Sequence, residues 1–501
     1  MPAQPSRRAV LTSAVAGVAA VGAVASHASE AATATRAVPV SRDPVLHAVR
    51  RLTFGATPAL VAHVRRVGVS AWVDQQLTGV PDAGATLHGT GPASLPLPPA
   101  ASSEAMTELG RRGITDLQVQ TFARAAFGDN QLYEVLVELF TNHLSIYGPA
   151  YAPYKVVDDA NVVRKHALGA FADMLAASAQ SLAMLLYLSQ AYSRGSNPNE
   201  NYARELMELH TVGVNGGYTQ RDVHNAALAL TGLSVDASTG TFTYRAEWHH
   251  VGPVRVLGWS HPNRDQSKGK EVALSLVSYL ARHPMTARRI ATKLVRRLVS
   301  DQPPAGLVAS AAEVYRASGT QIVPVVKHIV GSRDFQHAIG QKAQRPFEWF
   351  VQCVRALDLR PAADLTLNGA AIVKALRTLG QAPFEWAPPN GYPDSTGAYA
   401  STATMLARWN TAQALVQGKV QGLGRPNPGA LLGTPVPTTA GDVVDRLSEV
   451  VLGVSPRAGL KRAVLTGVGL KATHWLDASE AAGLVAPMAA LLLSSPEALV
   501  R

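Results

Sequence analysis

Two carboxylates, an amide and a guanidinium share one face of the most polar segment of this chain. At about 100° per residue, Asn201, Glu205 and Glu208 fall on one narrow stripe of a helix, with Arg204 at its edge. Carboxylates paired in this way can transfer protons or hold a hard cation such as a divalent metal. A second interpretation is an ordinary solvated face, in which Arg204 pairs with Glu200 and Glu208 one turn away on either side.

A catalytic site on this face would need further groups from elsewhere in the chain, because His210 points away from the carboxylates. His143, at the end of an earlier helix, could carry a proton, or it could simply interact favourably with the helix dipole. His249 could join as a ligand, with loop packing as its alternative role. The predicted catalytic residues are Glu205, Glu208, Arg204 and His143, and the predicted ligands of a divalent metal are Glu205, Glu208, Asp222 and His249.

The elements that must position these residues form a predicted helix–turn–helix. Pro198 suits the first turn of the first helix, where the missing backbone donor costs nothing. Three glycines between residues 213 and 217 end that helix, because glycine accepts positive φ angles. Thr219 is the predicted N-cap of the second helix, and Asp222 supplies the acid of a capping box.

Two later segments have the features of a binding surface. The helix that begins at His283-Pro284 carries basic residues around an apolar stripe, which suits an anionic surface or, alternatively, the solvated face of a packed helix. These basic residues are Arg288, Arg289, Lys293, Arg296 and Arg297. A proline-rich loop at residues 381–394 displays Trp386 and Tyr392, which could line a pocket or pack against the core.

The N-terminus predicts export from the cytoplasm. Arg7 and Arg8 form a twin-arginine pattern, and the apolar run after them is too short to cross a membrane. Residues 1–32 are therefore a predicted signal peptide, and the mature chain is expected outside the cell or at the cell wall, without a transmembrane helix. The single cysteine, Cys353, allows no intramolecular disulfide and lies in an apolar helical context that suits a buried thiol.

Composition and periodicity predict a mainly α-helical fold with a large multi-helix domain. Hydrophobic residues make up 47% of the chain, enough for a large core, and the abundance of small apolar residues suits close helix contacts. Residues 241–245 and 254–257 alternate in polarity and are expected to pair as a small inserted β-hairpin. The predicted organisation is a helical domain at 43–420, with a Pro/Gly-rich loop at 81–103 and the hairpin insertion at 239–259, followed by a linker at 421–440 and a helical tail at 441–501.

The charge of the chain favours an anionic partner. Its formal net charge is +11 and its pI is about 9.8, which would suit an anionic cell-wall polymer, while a co-exported protein is the other partner considered. Nucleic acid is not expected, since no nucleic-acid-binding motif is present. The sequence also lacks H-E-x-x-H, G-x-S-x-G and phosphate-loop motifs, so an enzyme would have to assemble its site from separate helices.

Several motifs together resemble a bacterial family known only as domain of unknown function 1800. They are Asn142-His143, Phe347-Glu348 and the runs at residues 51–58, 199–213, 217–223, 283–287 and 388–393. The resemblance covers nearly all of the chain after the predicted signal, agrees with a helical fold, and supplies no reaction. It also implies an Asp-Asn pair where this chain has Ser189-Gln190, a departure that would impair activity if that Asp takes part in chemistry.

Three hypotheses for function follow. The first is an exported enzyme, such as a metal-dependent hydrolase, with Glu205 and Glu208 at its centre. The second is a non-catalytic wall-associated or assembly protein, in which the same residues fix the helix–turn–helix. The third is a redox protein carrying a cofactor, because the twin-arginine route exports folded proteins. Glu and His side chains converging on a cavity would favour the first hypothesis, and a satisfied Arg–Glu network would favour the second.

Overall fold

The computed structural model of the protein describes residues 42–78, 103–236, 238–361 and 369–501, and it describes side chains in the second of these ranges from residue 113 onward. The predicted signal peptide at 1–32 and nearly all of the predicted Pro/Gly-rich loop at 81–103 lie outside the described residues.

Twenty-two α-helices and two small antiparallel sheets make up the described chain, which confirms the mainly α-helical fold. The first eleven helices are α1 (Pro44–Leu52), α2 (Pro58–Val67), α3 (Val69–Gln76), α4 (Ser103–Phe127), α5 (Gln131–His143), α6 (Ala152–Asp158), α7 (Phe171–Ser178), α8 (Leu182–Tyr187), α9 (Glu200–Glu205), α10 (Gln220–Leu230) and α11 (Gly269–Arg282). The others are α12 (Pro284–Leu298), α13 (Ala305–Ala317), α14 (Ile322–Val330), α15 (Arg333–His337), α16 (Pro346–Ala356), α17 (Gly369–Thr378), α18 (Thr402–Val416), α19 (Pro428–Leu432), α20 (Ala440–Leu452), α21 (Ala458–Gly467) and α22 (Ala478–Leu493).

The inserted β structure lies where the sequence predicts it, but its pairing differs. Strand β1 (Leu233–Asp236) pairs with β2 (Thr241–Tyr244), and β3 (Val254–Val256) pairs with β4 (Trp259–His261). The predicted pairing of residues 241–245 with 254–257 is therefore wrong. Each strand instead pairs with its nearest neighbour along the chain, where a short turn closes at a small cost in entropy.

One continuous hydrophobic core joins the N-terminal and C-terminal helices. Phe54 after α1, Phe347 and Trp349 in α16, and Leu447 in α20 all belong to it and are buried. The indole of Trp349 donates a hydrogen bond to the carbonyl oxygen of Leu493 in α22, at 3.4 Å. Helices α20 and α22, from the predicted tail, thus pack into the same core as the helices that precede them.

A cluster of buried charges lies inside this helical assembly. Glu348 of α16 accepts hydrogen bonds from three guanidinium groups, and the pairs that it forms with Arg345 and Arg501 both measure 2.9 Å. The third guanidinium belongs to Arg297 of α12, which the sequence places on a basic face but which is 1% exposed here. Glu138 of α5 adds a second carboxylate, 2.6 Å from Arg345. Because these groups come from distant helices, they fix how α5, α12 and α16 meet.

Candidate functional site

The first helix of the helix–turn–helix begins at Glu200, two residues after Pro198. Asn199 is its N-cap, and the side chain of Asn199 accepts a hydrogen bond from the backbone N–H of Asn201 at 2.9 Å. Pro198 therefore precedes the cap, and the prediction that it lies in the first turn is wrong. After Glu205 the helix widens into π-helical turns at Leu206–His210, a local change that often accompanies functional sites.

The glycine turn and the second helix form as predicted. Gly213 and Gly217 have φ angles of 86° and 78°, which a residue with a side chain rarely adopts. The capping box of α10 is present: Thr219 caps the N–H of Asp222, and the carboxylate of Asp222 accepts the N–H of Thr219 at 2.8 Å. The two helices are thus set at a fixed angle on the surface of the core.

The polar stripe of this first helix lies at the surface, while the opposite side is buried. Glu205 and Glu208 are partly exposed, and Tyr202 and His210 are buried. Arg204 lies 3.4 Å from Glu200 and 3.5 Å from Glu208, so both ion pairs of the solvated-face interpretation are present. Pairs of this kind, a third exposed, add little stability.

Glu205 differs from its neighbours because its carboxylate pairs with no other group in the described part of the chain. Partial burial raises the pKa of Glu205, the negative charge of Glu208 raises it further, and Arg204 opposes both effects. Tyr187 of α8 lies close enough for Glu205 to help raise the pKa of its hydroxyl, although burial is the larger cause. Glu205 therefore holds a proton more readily than an ordinary glutamate.

Glu208, one turn further on, is held by two groups. Arg204 lies on one side of it, and the hydroxyl of Tyr218 is hydrogen-bonded to its carboxylate. Burial and this hydrogen bond raise the pKa of Tyr218 to about 12, so the phenol keeps its proton. The two carboxylates thus differ in environment, because Glu208 has two partners and Glu205 has none among the described residues.

A second network ties the first helix to α10. Glu200 accepts a hydrogen bond from the side-chain amide of Gln220 at 2.6 Å and lies 3.1 Å from the ring of His224. Arg204 donates to the amide oxygen of Gln220 at 2.8 Å. These contacts are at the surface and bridge the helices next to the glycine turn. These contacts hold the two helices together.

Two of the predicted metal ligands are engaged in hydrogen bonds within the fold. One carboxylate oxygen of Asp222 belongs to the capping box, and the other accepts the N–H of Leu257 at 2.8 Å. His249 is buried, with its ring nitrogens 2.8 Å from the carbonyl oxygen of Thr231 and 2.9 Å from the side-chain oxygen of Asn263. In the described residues, no three His, Cys, Asp or Glu side chains are grouped so that they could hold a metal ion. A metal at Glu205, Glu208, Asp222 and His249 therefore stays a prediction without a preformed ligand set.

His143, the predicted proton carrier, is 1% exposed and lies away from the carboxylate face. One ring nitrogen is 3.0 Å from the carbonyl oxygen of His210, and the ring packs against Phe171. Burial, together with the nearby positive charge of Lys293, holds the pKa of His143 well below its usual value. The imidazole is therefore neutral, and a role beside Glu205 stays a prediction.

The aromatic loop is fastened to the end of α5. Gly391, with φ at 73°, packs so closely on Asn142 that an added Cβ would lie 2.0 Å from the Asn142 carbonyl oxygen. The N–H of Tyr392 donates to the Asn142 side chain at 3.2 Å. Tyr392 contacts the Trp386 ring and, with Phe384, lines a small cavity with room for about one water molecule. The loop is thus packed against the core and also borders a cavity.

Sequence reasoning missed that Lys293 in α12 forms no ion pair with the described residues. It also missed Tyr218, which lies near both Glu208 and Arg289 and opposes the lowering of the Arg289 pKa by burial. Tyr218 lies within the glycine-turn motif, so its position was a usable signal. No sequence signal marked Lys293, because its surroundings depend on which face of α12 packs against the helix–turn–helix.

The fold and this face define a class of mainly α-helical protein with a partly exposed carboxylate pair on a helix–turn–helix. The chain belongs to the family described as "Protein of unknown function (DUF1800)", whose sequence profile matches residues 47–500. No curated protein and no solved structure matches it. Among the described helices, none is long and apolar enough to cross a membrane.

Proposed function

We propose that this protein is an exported enzyme, a hydrolase that uses Glu205 as its acid and Glu208 as its base. The observation that carries the proposal is the unpaired, partly buried carboxylate of Glu205, whose pKa is raised beside the ion-paired Glu208. Two carboxyl groups, one acting as general acid and the other as general base, are a common basis of acid–base hydrolysis. Glu200, on the same helix, has partners on both carboxylate oxygens and would take no part.

In this proposal each side chain has one task. Glu208, held in place by Arg204 and Tyr218, accepts a proton from an attacking water molecule. Glu205 gives its proton to the leaving group, and Arg204 offers positive charge to an anionic part of the substrate. No step passes through a metal ion, because the carboxylate of Asp222 and the ring of His249 are already engaged within the fold.

The test combines a substrate screen with three matched variants of the mature chain. Chromogenic esters, glycosides and phosphate esters are offered to the wild type, and a substrate that is turned over is then tested with E205Q, E208Q and E200Q. Loss of a general acid or base typically lowers the rate by about 10²–10⁴-fold. We expect that loss in E205Q and E208Q, while E200Q stays within about threefold of the wild type.

A second measurement needs no substrate. The pKa of Glu205 can be followed by carbon-detected NMR of labelled side-chain carboxylates in the wild type and in E208Q. We expect a raised value in the wild type and a lower one in E208Q, since a like charge has been removed. An ordinary value for Glu205 in both proteins would refute its assignment as the acid.

A non-catalytic binding or assembly protein is the second candidate, and one observation favours it. Surface contacts hold the two helices together, and they involve Glu200, Arg204, Gln220 and His224. A structural role is therefore enough to explain these four residues. If E200Q, E205Q and E208Q all lose stability equally and no substrate is turned over, this candidate is the better one. An anionic wall polymer or a co-exported protein would then be the partner to seek.

A further inference from the structure

Three cations form a row on α12 and lack acidic partners. Arg289, Lys293 and Arg296 are four and three residues apart, so they share one face of the helix. All three are half-buried, and none forms an ion pair with a carboxylate in the part of the chain that the structure describes. Arg297, the next residue, is paired with Glu348 instead. Half-buried cations normally lie beside negative charges, so the positive charge of this row is uncompensated within the described residues.

Arg289 is held in place by the glycine turn. Its Nε donates a hydrogen bond to the carbonyl oxygen of Leu209 at 3.0 Å. Its NH1 group packs over Gly213, where an added Cβ would lie only 2.9 Å from it. A guanidinium has five N–H donors, and most of them remain available here. The glycine turn thus orients the guanidinium group of Arg289 without neutralising its charge.

Lys293, at the centre of the row, makes no hydrogen bond to the described residues. The charged or titratable groups that face it are Arg289 and Arg296 on its own helix, Asp394 from the aromatic loop, and the imidazoles of His143 and His210. Burial and the two arginines lower the pKa of Lys293 to about 7. The negative charge of Asp394 opposes this lowering of the Lys293 pKa, but Asp394 forms its ion pair with Lys342, at 2.9 Å, and none with Lys293.

Behind the row lie buried polar atoms with no partner. Both ring nitrogens of His210 and one of His143 make no hydrogen bond to the described residues, although both side chains are 1% exposed. The positive charges of Lys293 and Arg289 lower the pKa of each ring, so both histidines lie near the row. A neutral imidazole carries one N–H donor, and a buried donor normally has an acceptor. The N–H of His143 faces the carbonyl oxygen of His210, so an oxyanion beside the row would supply the missing acceptor for the N–H of His210.

We propose that Arg289, Lys293 and Arg296 form a binding site for phosphate groups. The seven helical steps from Arg289 to Arg296 span about 10 Å at 1.5 Å per residue, more than one phosphate covers. A ligand with two adjacent phosphate groups, such as a diphosphate, matches this length. The site goes beyond the proposed hydrolase chemistry and does not depend on Glu205 or Glu208.

Isothermal titration calorimetry of the mature protein with diphosphate and with phosphate, at pH 6 and low salt, tests the site. We compare the wild type with K293Q, R296Q and R288Q. Arg288 is the matched control, because it lies on the same helix but is exposed on another face. We expect diphosphate to bind more tightly than phosphate, K293Q and R296Q to weaken binding at least tenfold, and R288Q to change it less than twofold.

Sulfate adds a test of Lys293 itself, because sulfate keeps the same charge between pH 6 and pH 8.5. Its binding should weaken several-fold over this range in the wild type, as the ammonium group loses its proton, and should change much less in K293Q. No binding of either phosphate ligand at 10 mM, or equal losses in K293Q and R288Q, would overturn the proposal. If K293Q does not fold, as judged by circular dichroism, R296Q decides the same question.

Discussion

Replacing Glu348 with glutamine tests whether the buried charge cluster holds the helices together. Glu348 is the shared partner of Arg297, Arg345 and Arg501, and its side chain is 1% exposed. Glutamine keeps the shape but removes the charge and turns an NH2 group toward the arginines. The three guanidinium groups stay protonated, because arginine does not lose its proton in proteins.

The expected loss of stability in E348Q depends on which other carboxylates each arginine can still contact. Arg345 keeps Glu138 at 2.6 Å and Arg297 keeps it at 3.6 Å, but within the described residues Arg501 has no other carboxylate within 4 Å. Removing one partner of a buried ion pair costs about 3–5 kcal/mol. With two arginines partly compensated and one not, E348Q should lose about 4 kcal/mol. For a chain of this size that corresponds to a fall of about 4–8 °C in Tm.

The assay is differential scanning calorimetry of the wild type, E348Q and a matched control, E385Q. Glu385 also pairs with an arginine, at 2.8 Å from Nε of Arg377, but the Arg377 side chain is 52% exposed. The Glu385 side chain is 16% exposed, but the guanidinium group of Arg377 stays in water when the pair is lost, so E385Q should lose no more than about 1 kcal/mol, or 1–2 °C. If E348Q loses no more than E385Q, the cluster does not stabilise the fold as argued.

Three further results are expected. Replacing Gly391 with alanine should destabilise the protein by about 3 kcal/mol or more in urea unfolding, because the new Cβ meets the Asn142 carbonyl oxygen and φ is positive. Cys353 should resist Ellman's reagent in the folded protein, since burial raises the pKa of its thiol. Burial and nearby cations lower the pKa of His210 to about 3 in the folded protein, so the unfolded protein takes up a proton at this residue first as the pH falls. This residue should therefore lower the free energy of unfolding by about 2 kcal/mol between pH 8 and pH 5. The contribution is measured as the difference between the wild type and H210Q.

Each of these has its own control. For Gly391 it is G380A, because Gly380 also has a positive φ but open space around its Cβ position, and only the backbone cost of about 1 kcal/mol should remain. For Cys353, one thiol per chain should react in denaturant, and fast labelling of the folded protein would contradict the burial. For His210, an equal pH dependence in the wild type and H210Q would show that other groups govern acid unfolding.

Local chemistry made much of the fold predictable. Thr219 and Asp222 identified a helix start from four residues of sequence, because a capping box needs only neighbouring atoms. The same kind of local chemistry applies at the end of α10, where Gly232, two residues after Leu230, has a φ of 87°. The strand pairing was not predictable to the same degree, since alternation identifies strands but does not choose their partners.

The candidate site was predictable only in part, for a related reason. Periodicity put Glu205 and Glu208 on one face, and both are partly exposed in the structure. It could not show that Arg204 and Tyr218 hold Glu208 while Glu205 stays unpaired, because Tyr218 comes from the far side of the glycine turn. Asp222 and His249 were assigned by residue type, which says nothing about hydrogen bonds already made to Leu257 or Asn263.

The sequence by itself determined the helical class, the capping chemistry and the family, since each depends on residues near one another in the chain. Only the tertiary structure decided which charges are buried and paired. Arg296 and Arg297 are adjacent and chemically identical, yet Arg297 pairs with Glu348 in the interior while Arg296 joins the unpaired row. The difference of about 100° between successive residues of a helix turns one toward the core and the other away from it, and only the packing of α12 fixes which is which.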